Sequence, residues 1–324
     1  MKMAFRDPDD GAHGRPAEHP AKIPARGWRD ILLRIKDQMD GNHLSITAAG
    51  IAYFAFLAIF PGLAALVSLY GLFSDPTAVQ RQLSAVQTII PFEAYAIIEN
   101  QLHKIALQPP SSLSFGFIGG LLLTLFSANK GVMAMIEAMN IVYEEKETRG
   151  FIKLNLLSLF YTFVMTLTIA ISIIIIVIAP AVLAFLPVPD MVEALVKYLP
   201  WPFLAAMIIL LLNFTYCYFP NRRRAKWRWI TYGSAVAALV WIVASILFSF
   251  YVSNFGDYNK TYGSVGAVVV LMIWFYISAF IVLLGGTLNA EMEHQTAVDS
   301  TRGRPSKPRG RRGAHMADDV GMEK

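Results

Sequence analysis

The chain has 324 residues, of which 55% are hydrophobic and only 16% are charged. Soluble domains carry about 25% charged residues, so this composition excludes an ordinary soluble domain and predicts a polytopic membrane protein. The net charge of +5 does not indicate a nucleic-acid partner, because the basic residues cluster beside apolar segments, where they set membrane topology. With Cys217 as its single cysteine, the chain cannot form an intramolecular disulfide framework.

The amino-terminal region combines a polar arm with an amphipathic segment. Residues 1–24 are rich in Asp, Gly, Pro and His, which is typical of a disordered arm. From Trp28 to Met39, apolar residues recur at helical spacing, with Arg29, Arg34 and Lys36 on the other face. We expect an amphipathic helix here. It either lies in the interface on an anionic membrane surface or packs on the cytoplasmic face of the protein itself.

Six apolar segments follow, each near the ~20 residues that cross ~30 Å of hydrocarbon. We therefore predict an all-α, six-span membrane domain over residues 25–294, followed by a basic, disordered tail over 295–324. The predicted spans are 47–73, 113–143, 155–185, 201–219, 229–252 and 264–289. Pro61 is expected to kink the first span, because proline removes one helical hydrogen bond. The second span exceeds the bilayer thickness. It is therefore tilted, broken near Asn129–Gly131, or projects into the cytoplasm.

The distribution of Lys and Arg predicts that both termini are cytoplasmic. The loops after the second and fourth predicted spans are rich in basic residues, and such loops stay on the cytoplasmic side. The long loop between the first two spans holds two amphipathic segments, which begin after Pro76 and at Glu93. We expect these segments to form a helical periplasmic cap, and the alternative is that they lie in the outer interface.

The second predicted span carries a polar stripe formed by Asn129, Lys130, Glu137 and Asn140. At 100° per residue these four side chains fall within an arc of roughly 100°. Polar groups at membrane depth are costly unless they face protein or water, so the stripe is a candidate functional site. Two interpretations stay open: a polar lining that handles a lipid headgroup or substrate, or a structural network bonded to neighbouring helix ends and to Arg149.

Other polar residues are predicted at the cytoplasmic end of the spans. Asn289 and Glu291 close the last span and could join the same network. The alternative is that Asn289 bonds carbonyls freed at the helix end while Glu291 is solvated. Arg222, Arg223 and Arg224 are interpreted mainly as topology determinants, with contact to anionic headgroups as a second role.

The sequence shows no usual signal of catalysis at membrane depth. All six histidines fall outside the predicted spans, and Asp75, Asp190 and Asp257 lie in outer loops. No phosphate-binding loop and no Cys/His metal spacing is found. We therefore predict a protein that is not an enzyme and that needs neither a metal ion nor a cofactor.

Four ordered motifs resemble those of one known family. They are Phe56–Pro61, similar to its FxxLxxFP segment; Ser127–Gly131 with Ala138–Tyr143 and Glu147–Phe151; Tyr218–Arg222 with Trp227–Arg228; and Tyr262–Ser264 with Trp274–Tyr276 and Gly285–Glu291. On these motifs the chain is similar to the YihY/virulence factor BrkB family of bacterial inner-membrane proteins. The resemblance covers roughly residues 28–294 and implies a multi-pass protein of the bacterial cytoplasmic (inner) membrane.

What the resemblance implies about activity is narrower. Some members carry the label ribonuclease BN. We interpret it as a misassignment, because authentic enzymes of that activity are soluble zinc hydrolases with clustered His and Asp. Other members are linked to serum resistance and to the movement of lipid A precursors or phospholipids towards the envelope. The family thus suggests a transporter or flippase-like protein for lipids or amphiphiles, and the alternative is a non-transporting scaffold of an envelope-assembly complex.

The expected partners follow from the same reasoning. Membrane lipids, especially anionic phospholipids, are the expected ligands, and no nucleic acid is expected. Homo-oligomers or envelope-assembly partners stay open.

Overall fold

The computed structural model describes residues 10–73, 110–173, 175, 191, 199–222, 224–254, 264–296, 298 and 300. These residues form helices joined by turns, which confirms the all-α prediction. The eight α-helices among them are Asp10–His13 (α1), Ala25–Gly41 (α2), Leu44–Phe73 (α3), Pro110–Val142 (α4), Phe151–Ile173 (α5), Pro200–Tyr218 (α6), Trp227–Asn254 (α7) and Ser264–His294 (α8).

Five of the described helices are long and apolar enough to cross a membrane. The qualifying segments are Leu44–Gly62, Ser114–Val142, Phe151–Thr168, Trp227–Val252 and Val268–His294, and Pro202–Tyr218 forms a shorter apolar helix. Each of these six segments overlaps one of the predicted spans, and together they confirm a multi-pass membrane protein. The count of six and the placement of the termini stay predictions. The predicted periplasmic cap and most of the basic tail lie outside the described residues.

Helix α4 is continuous over 33 residues. At 1.5 Å per residue it is about 50 Å long, well beyond the ~30 Å of a hydrocarbon core. It is therefore not broken near Asn129–Gly131, which leaves tilt or projection to account for its length. Helix α3 also continues through Pro61. Because proline lacks an N–H, the carbonyl of Leu57 loses its helical donor there; the kink itself stays a prediction.

The described residues belong to two compact units. The first contains the described parts of Met1–Ala49, Val132–Ile246 and Ile277–Lys324. The second contains those of Gly50–Gly131 and Leu247–Tyr276. Four helices contribute to both units, namely α3, α4, α7 and α8. Each unit is therefore built from segments that are distant in the sequence.

In the first unit, helices α7 and α8 approach each other closely at two glycines. A Cβ atom on Gly233 would overlap the carbonyl of Gly285 and the side chain of Asn289. A Cβ atom on Gly285 would overlap the hydroxyl of Tyr216, which donates to the carbonyl of Val282 at 2.8 Å. Small residues at such a crossing let the backbones pack directly, which is how membrane helices gain contact.

Within the first unit, helix α2 packs against helices α7 and α8. Its Ile31 and Ile35 are buried in a cluster with Trp229, Leu288 and Met292. Of the two interpretations of this amphipathic segment, the structure thus supports packing on the protein's own face. Leu32 and Leu33, which lie beside and opposite this buried face, stay exposed.

The described part of the amino-terminal arm is folded, in contrast to our prediction of disorder over residues 1–24. Ala17 and Ile23 join the cluster beneath α2. The hydroxyl of Thr296 donates to the carbonyl of Ala17 at 2.6 Å, and the amide of Gln295 donates to the carbonyl of His13 at 2.7 Å. These contacts come from the other end of the chain, so the composition of the arm alone could not predict them.

In the second unit, helices α3 and α4 meet at small residues. A Cβ atom on Gly62 would lie 3.5 Å from Thr124, and one on Gly131 would lie 3.6 Å from Phe54. Both distances are ordinary van der Waals contacts. The two helices therefore leave room for a Cβ atom at both positions, and neither glycine is sterically required.

Candidate functional site

The structure divides the polar stripe of α4 into two pairs. Asn129 and Asn140 are buried, whereas Lys130 and Glu137 are exposed. The four positions share one side of the helix in the sequence pattern, yet only the two amides are covered by the protein. The interpretation of the stripe as a structural network therefore fits Asn129 and Asn140. It does not explain the exposed pair, Lys130 and Glu137.

Asn140 links the end of α4 to two loops of the first unit. Its Nδ2 donates to Oε2 of Glu147 at 2.9 Å, and its Oδ1 accepts from the backbone N–H of Asn221 at 2.7 Å. The side chain of Asn221 donates in turn to the carbonyl of Lys146 and to the hydroxyl of Thr148, both at 2.7 Å. Asn140 thus has a structural role as a cross-link.

Arg149 extends this cross-link through Glu147. Its Nε donates to Oε1 of Glu147 at 2.9 Å, and its Nη2 donates to Oε2 of the same carboxylate at 2.5 Å. The guanidinium also donates to the carbonyls of Tyr218 and Phe219 at 3.1 and 2.7 Å. These carbonyls close helix α6 and have no partner within it, so Arg149 caps that helix.

The surroundings of Glu147 lower the pKa of its carboxyl group. Burial alone would raise this pKa, but hydrogen bonds from the Arg149 side chain and backbone and from Asn140 outweigh it. The result is a pKa of about 2, against an ordinary value of 4.5. The carboxylate is therefore ionised at neutral pH and holds Arg149 in place.

Arg222 and Glu293 form a fully buried ion pair. The Nη1 and Nη2 atoms donate to the two carboxylate oxygens at 2.6 and 2.7 Å, and the side chains are 1% and 0% exposed. The guanidinium lies 4.1 Å from the ring centroid of Tyr143, and Ser300 donates to Oε2 of Glu293 at 2.5 Å. Although burial opposes the charge, Glu293 raises the pKa of Arg222 above its ordinary value.

This burial corrects one prediction. Arg222 was interpreted mainly as a topology determinant with headgroup contact as a second role, but its guanidinium is enclosed by protein and its charge is compensated by Glu293. Arg224 is exposed and stacks over the ring of Tyr218 at 4.9 Å, so it stays a candidate for headgroup contact. Arg223 lies outside the described residues.

Asn289 and Glu291 are both buried, but their partners differ from those expected. The Oδ1 atom of Asn289 accepts from the backbone N–H of Gly233 at 2.9 Å, rather than the side chain binding freed carbonyls. Glu291 is not solvated, because Nε of Arg34 donates to its Oε2 at 2.5 Å. Its second oxygen lies 3.6 Å from Nδ1 of His294. Both residues therefore fix α8 to its neighbours.

We use the name charged junction for the buried and half-buried polar residues that meet in the first unit. Its members are Asn140, Glu147, Arg149, Asn221, Arg222 and Glu293. Sequence reasoning had singled out only Asn140, Arg149 and Arg222 as candidates. Glu147 and Asn221 stand within the quoted motifs, which was the available signal. No sequence signal pointed to Glu293, because its partner Arg222 lies 71 residues away.

Lys130 and Glu137 have a different environment on the same helix. They lie about 18 and 8 Å from Val142 along the axis at 1.5 Å per residue, within the apolar segment Ser114–Val142. The ammonium of Lys130 sits 5.4 Å from the ring centroid of Phe126, so the side chain leans towards the helix start. In the part of the chain that the structure describes, neither residue forms a salt bridge.

Comparisons with known proteins agree with the resemblance of the motifs. The family model described as virulence factor BrkB matches residues 35–310. The chain is 32% identical over 248 residues to the putative ribonuclease-like protein YfkH of Bacillus subtilis, which covers 75% of this chain and 88% of that protein. The word ribonuclease is part of the name of the Bacillus protein and is not carried over to this chain.

Other relatives are described simply as membrane proteins. A UPF0761 membrane protein of Tolumonas auensis is 26% identical over 272 residues, or 83% of this chain and 86% of that protein. A second UPF0761 membrane protein, from Idiomarina loihiensis, is 36% identical over 74 residues, which is 23% of this chain and 26% of that protein. No solved structure matches the chain at a significant level.

Proposed function

The chain belongs to the virulence factor BrkB family of membrane proteins, and from this premise we propose that it is a transporter or flippase-like protein for lipids or amphiphiles. It would act in envelope biogenesis in the bacterial cytoplasmic (inner) membrane. The proposal concerns movement between leaflets rather than a chemical reaction.

A single observation carries the proposal: Lys130 and Glu137 are exposed on an apolar spanning helix. A charge at membrane depth must reach water, a counter-charge or a lipid headgroup, because hydrocarbon solvates it poorly. The Lys130 side chain leans towards Phe126, away from the near end of the helix, so it does not extend towards that water interface. A headgroup drawn along α4 would supply the counter-charges that both residues need.

A symmetric pair of chains supplies these counter-charges poorly. In a two-fold dimer whose axis is normal to the membrane, equivalent residues of the two copies lie at equal depth. Lys130 of one copy would then face Lys130 of the other, and Glu137 would face Glu137. The lysine pair and the glutamate pair would lie about 10.5 Å apart along the helix axis. Like charges at close range repel, so this face of α4 favours a ligand over a second copy.

The proposal is tested with the full-length protein reconstituted into liposomes that contain acyl-labelled fluorescent phospholipid. We expect the wild-type protein to exchange labelled lipid between leaflets at least about tenfold faster than protein-free liposomes do. Lys130→Met should bring the rate close to that background, because it removes the deep charge while keeping side-chain length. The matched control is Lys153→Met, which changes an exposed lysine in the first turn of α5.

Two results would contradict the proposal. Wild-type protein that exchanges no lipid above the background would favour the scaffold alternative. Full exchange by the Lys130→Met protein would show that lipid moves without the exposed charge, and the observation on α4 would then carry no function.

A further inference from the structure

We propose that the transported molecule is a zwitterionic phospholipid with a phosphate and a primary amine in its headgroup, taken from the cytoplasmic leaflet along the exposed face of α4. This inference rests on the proposed transport function and adds the substrate class and the leaflet of entry. It depends on the order of side chains on one continuous helix.

The exposed face of α4 changes from apolar to charged in the direction of the chain. Leu123 and Phe126 are 58% and 60% exposed, and Lys130 and Glu137 follow on the same side. At 100° per residue these four positions fall within an arc of roughly 60°. A phospholipid has the same polarity, with acyl chains at one end and a charged headgroup at the other. A lipid lying along this face would place its chains on Leu123 and Phe126 and its headgroup beside the charges.

The order of the two charges selects both the headgroup and the leaflet. In the orientation predicted from the basic loops, α4 runs from the outer side to the cytoplasm, so Lys130 lies deeper than Glu137. In a lipid of the cytoplasmic leaflet, the phosphate lies nearer the bilayer centre and the amine lies nearer the water. The phosphate thus meets Lys130 and the amine meets Glu137. A lipid of the outer leaflet presents these groups in the opposite order.

The spacing of the charges suits a headgroup of this length. Seven residues of helix separate Lys130 and Glu137 by about 10.5 Å along the axis, and two charge-assisted hydrogen bonds of about 2.8 Å each leave about 5 Å for the ligand. A two-carbon linker between phosphate and amine spans such a gap. Both side chains lean towards the helix start, so the direction of lean does not alter the separation greatly.

The same geometry disfavours anionic phospholipids without an amine. Their phosphate can pair with Lys130, but a headgroup such as glycerol offers only neutral hydroxyl donors and leaves the charge of the Glu137 carboxylate uncompensated. A quaternary ammonium group carries the charge but no N–H, so it forms no hydrogen bond with the carboxylate. We therefore expect primary-amine headgroups to be preferred over both. This differs from the expectation from composition, which favoured anionic lipids.

The test compares three lipids with the same acyl label in the reconstituted full-length protein: phosphatidylethanolamine, phosphatidylglycerol and phosphatidylcholine. We expect wild-type protein to exchange phosphatidylethanolamine about tenfold faster than phosphatidylglycerol, since the attraction between the ammonium and the Glu137 carboxylate is large enough to produce a factor of this size. Glu137→Gln should reduce the preference to within about twofold, because the amide carries no charge to pair with the amine. Glu144→Gln is the matched control, because it makes the same change two residues beyond the end of α4.

The outcomes separate this inference from the proposed function. Equal exchange of all three lipids by wild-type protein overturns the substrate class but leaves transport standing. No exchange of any lipid overturns the transport function itself. A Glu137→Gln protein that keeps the full preference overturns the assignment of the amine to Glu137. Because Glu137 is exposed, the variant is expected to fold, and an unchanged thermal unfolding curve verifies this.

Discussion

The charged junction and the exposed face of α4 handle charge in opposite ways. In the charged junction, Arg222 is enclosed and bound through two hydrogen bonds to Glu293, and Arg149 is bound in the same manner to Glu147. On α4, Lys130 and Glu137 are exposed within an apolar segment that is long enough to cross a membrane. The first arrangement compensates its charges within the protein, whereas the second leaves two charges exposed.

This difference separates structural polar residues from the candidates for a functional role. A buried charge whose hydrogen bonds come from its own protein fixes helices and loops, and its removal is expected to lower stability. An exposed charge inside an apolar segment contributes little to packing. Its presence is better explained by a ligand. The polar stripe seen in the sequence mixes both types, with Asn140 in the charged junction and Lys130 outside it.

The largest expected effect concerns Glu293. Glu293→Ala leaves the guanidinium of Arg222 buried without its counter-charge, and breaking a buried pair in this way typically costs about 3–5 kcal/mol. We expect a marked loss of thermal stability in detergent-solubilised protein. The double variant Arg222→Met/Glu293→Leu removes both charges and should recover a large part of that loss. If the single and double variants are equally unstable, the cost lies in packing rather than in the unpaired charge.

A smaller effect is expected from the pH dependence of Glu147. The pKa of its carboxyl group is about 2 in the folded protein, below the ordinary value of 4.5. The folded state therefore binds this proton less readily than the unfolded state. Its contribution to stability is complete above pH 4.5 and is lost as the pH falls towards about 2. Glu147→Gln should be less stable than wild type at about pH 6, and the difference should shrink at about pH 3.

Unfolding curves of the two proteins at several pH values measure this effect. A difference that stays constant with pH would mean that the carboxylate charge does not hold Arg149, and that only the shape of the side chain matters.

The smallest expected effect on stability concerns the exposed pair. Lys130→Met and Glu137→Gln should change the free energy of unfolding by no more than about 0.5 kcal/mol, as is usual for exposed positions. The same variants are expected to lose lipid exchange or lipid preference. Thermal unfolding in detergent and exchange in liposomes, measured on one preparation, verify both parts. A loss of stability as large as that of Glu293→Ala would mean that Lys130 and Glu137 stabilise the fold. The contrast between the exposed face of α4 and the charged junction would then no longer hold.

Hydropathy predicted most of the helices, because each spanning segment must be apolar over a length set by the bilayer. The predicted span 229–252 corresponds to α7, and 264–289 corresponds to most of α8. The continuity of α4 through Asn129–Gly131 did not follow from the sequence. Polar residues and glycine weaken a helix locally, but a neighbouring helix at Phe54 packs against Gly131 and supports it.

The candidate site was predictable only in part. The helical period brought Asn129, Lys130, Glu137 and Asn140 to one side of α4, but it gave no information on what covers each of them. Arg222 illustrates the limit most clearly. A basic loop sets topology whether its arginines are free or paired, so the sequence could not distinguish Arg222, which is enclosed, from Arg224, which is exposed.

The sequence by itself determined the membrane class, the family and the helical segments, because these depend on composition, local periodicity and short motifs. Only the tertiary structure decided which charges are paired. Arg34 reaches Glu291 across 257 residues, and Arg222 reaches Glu293 across 71. Such pairs form where packed helices bring distant positions together, and no local pattern records them. The same packing leaves Lys130 and Glu137 uncovered, and that exposure turns a polar stripe into a candidate path for a lipid.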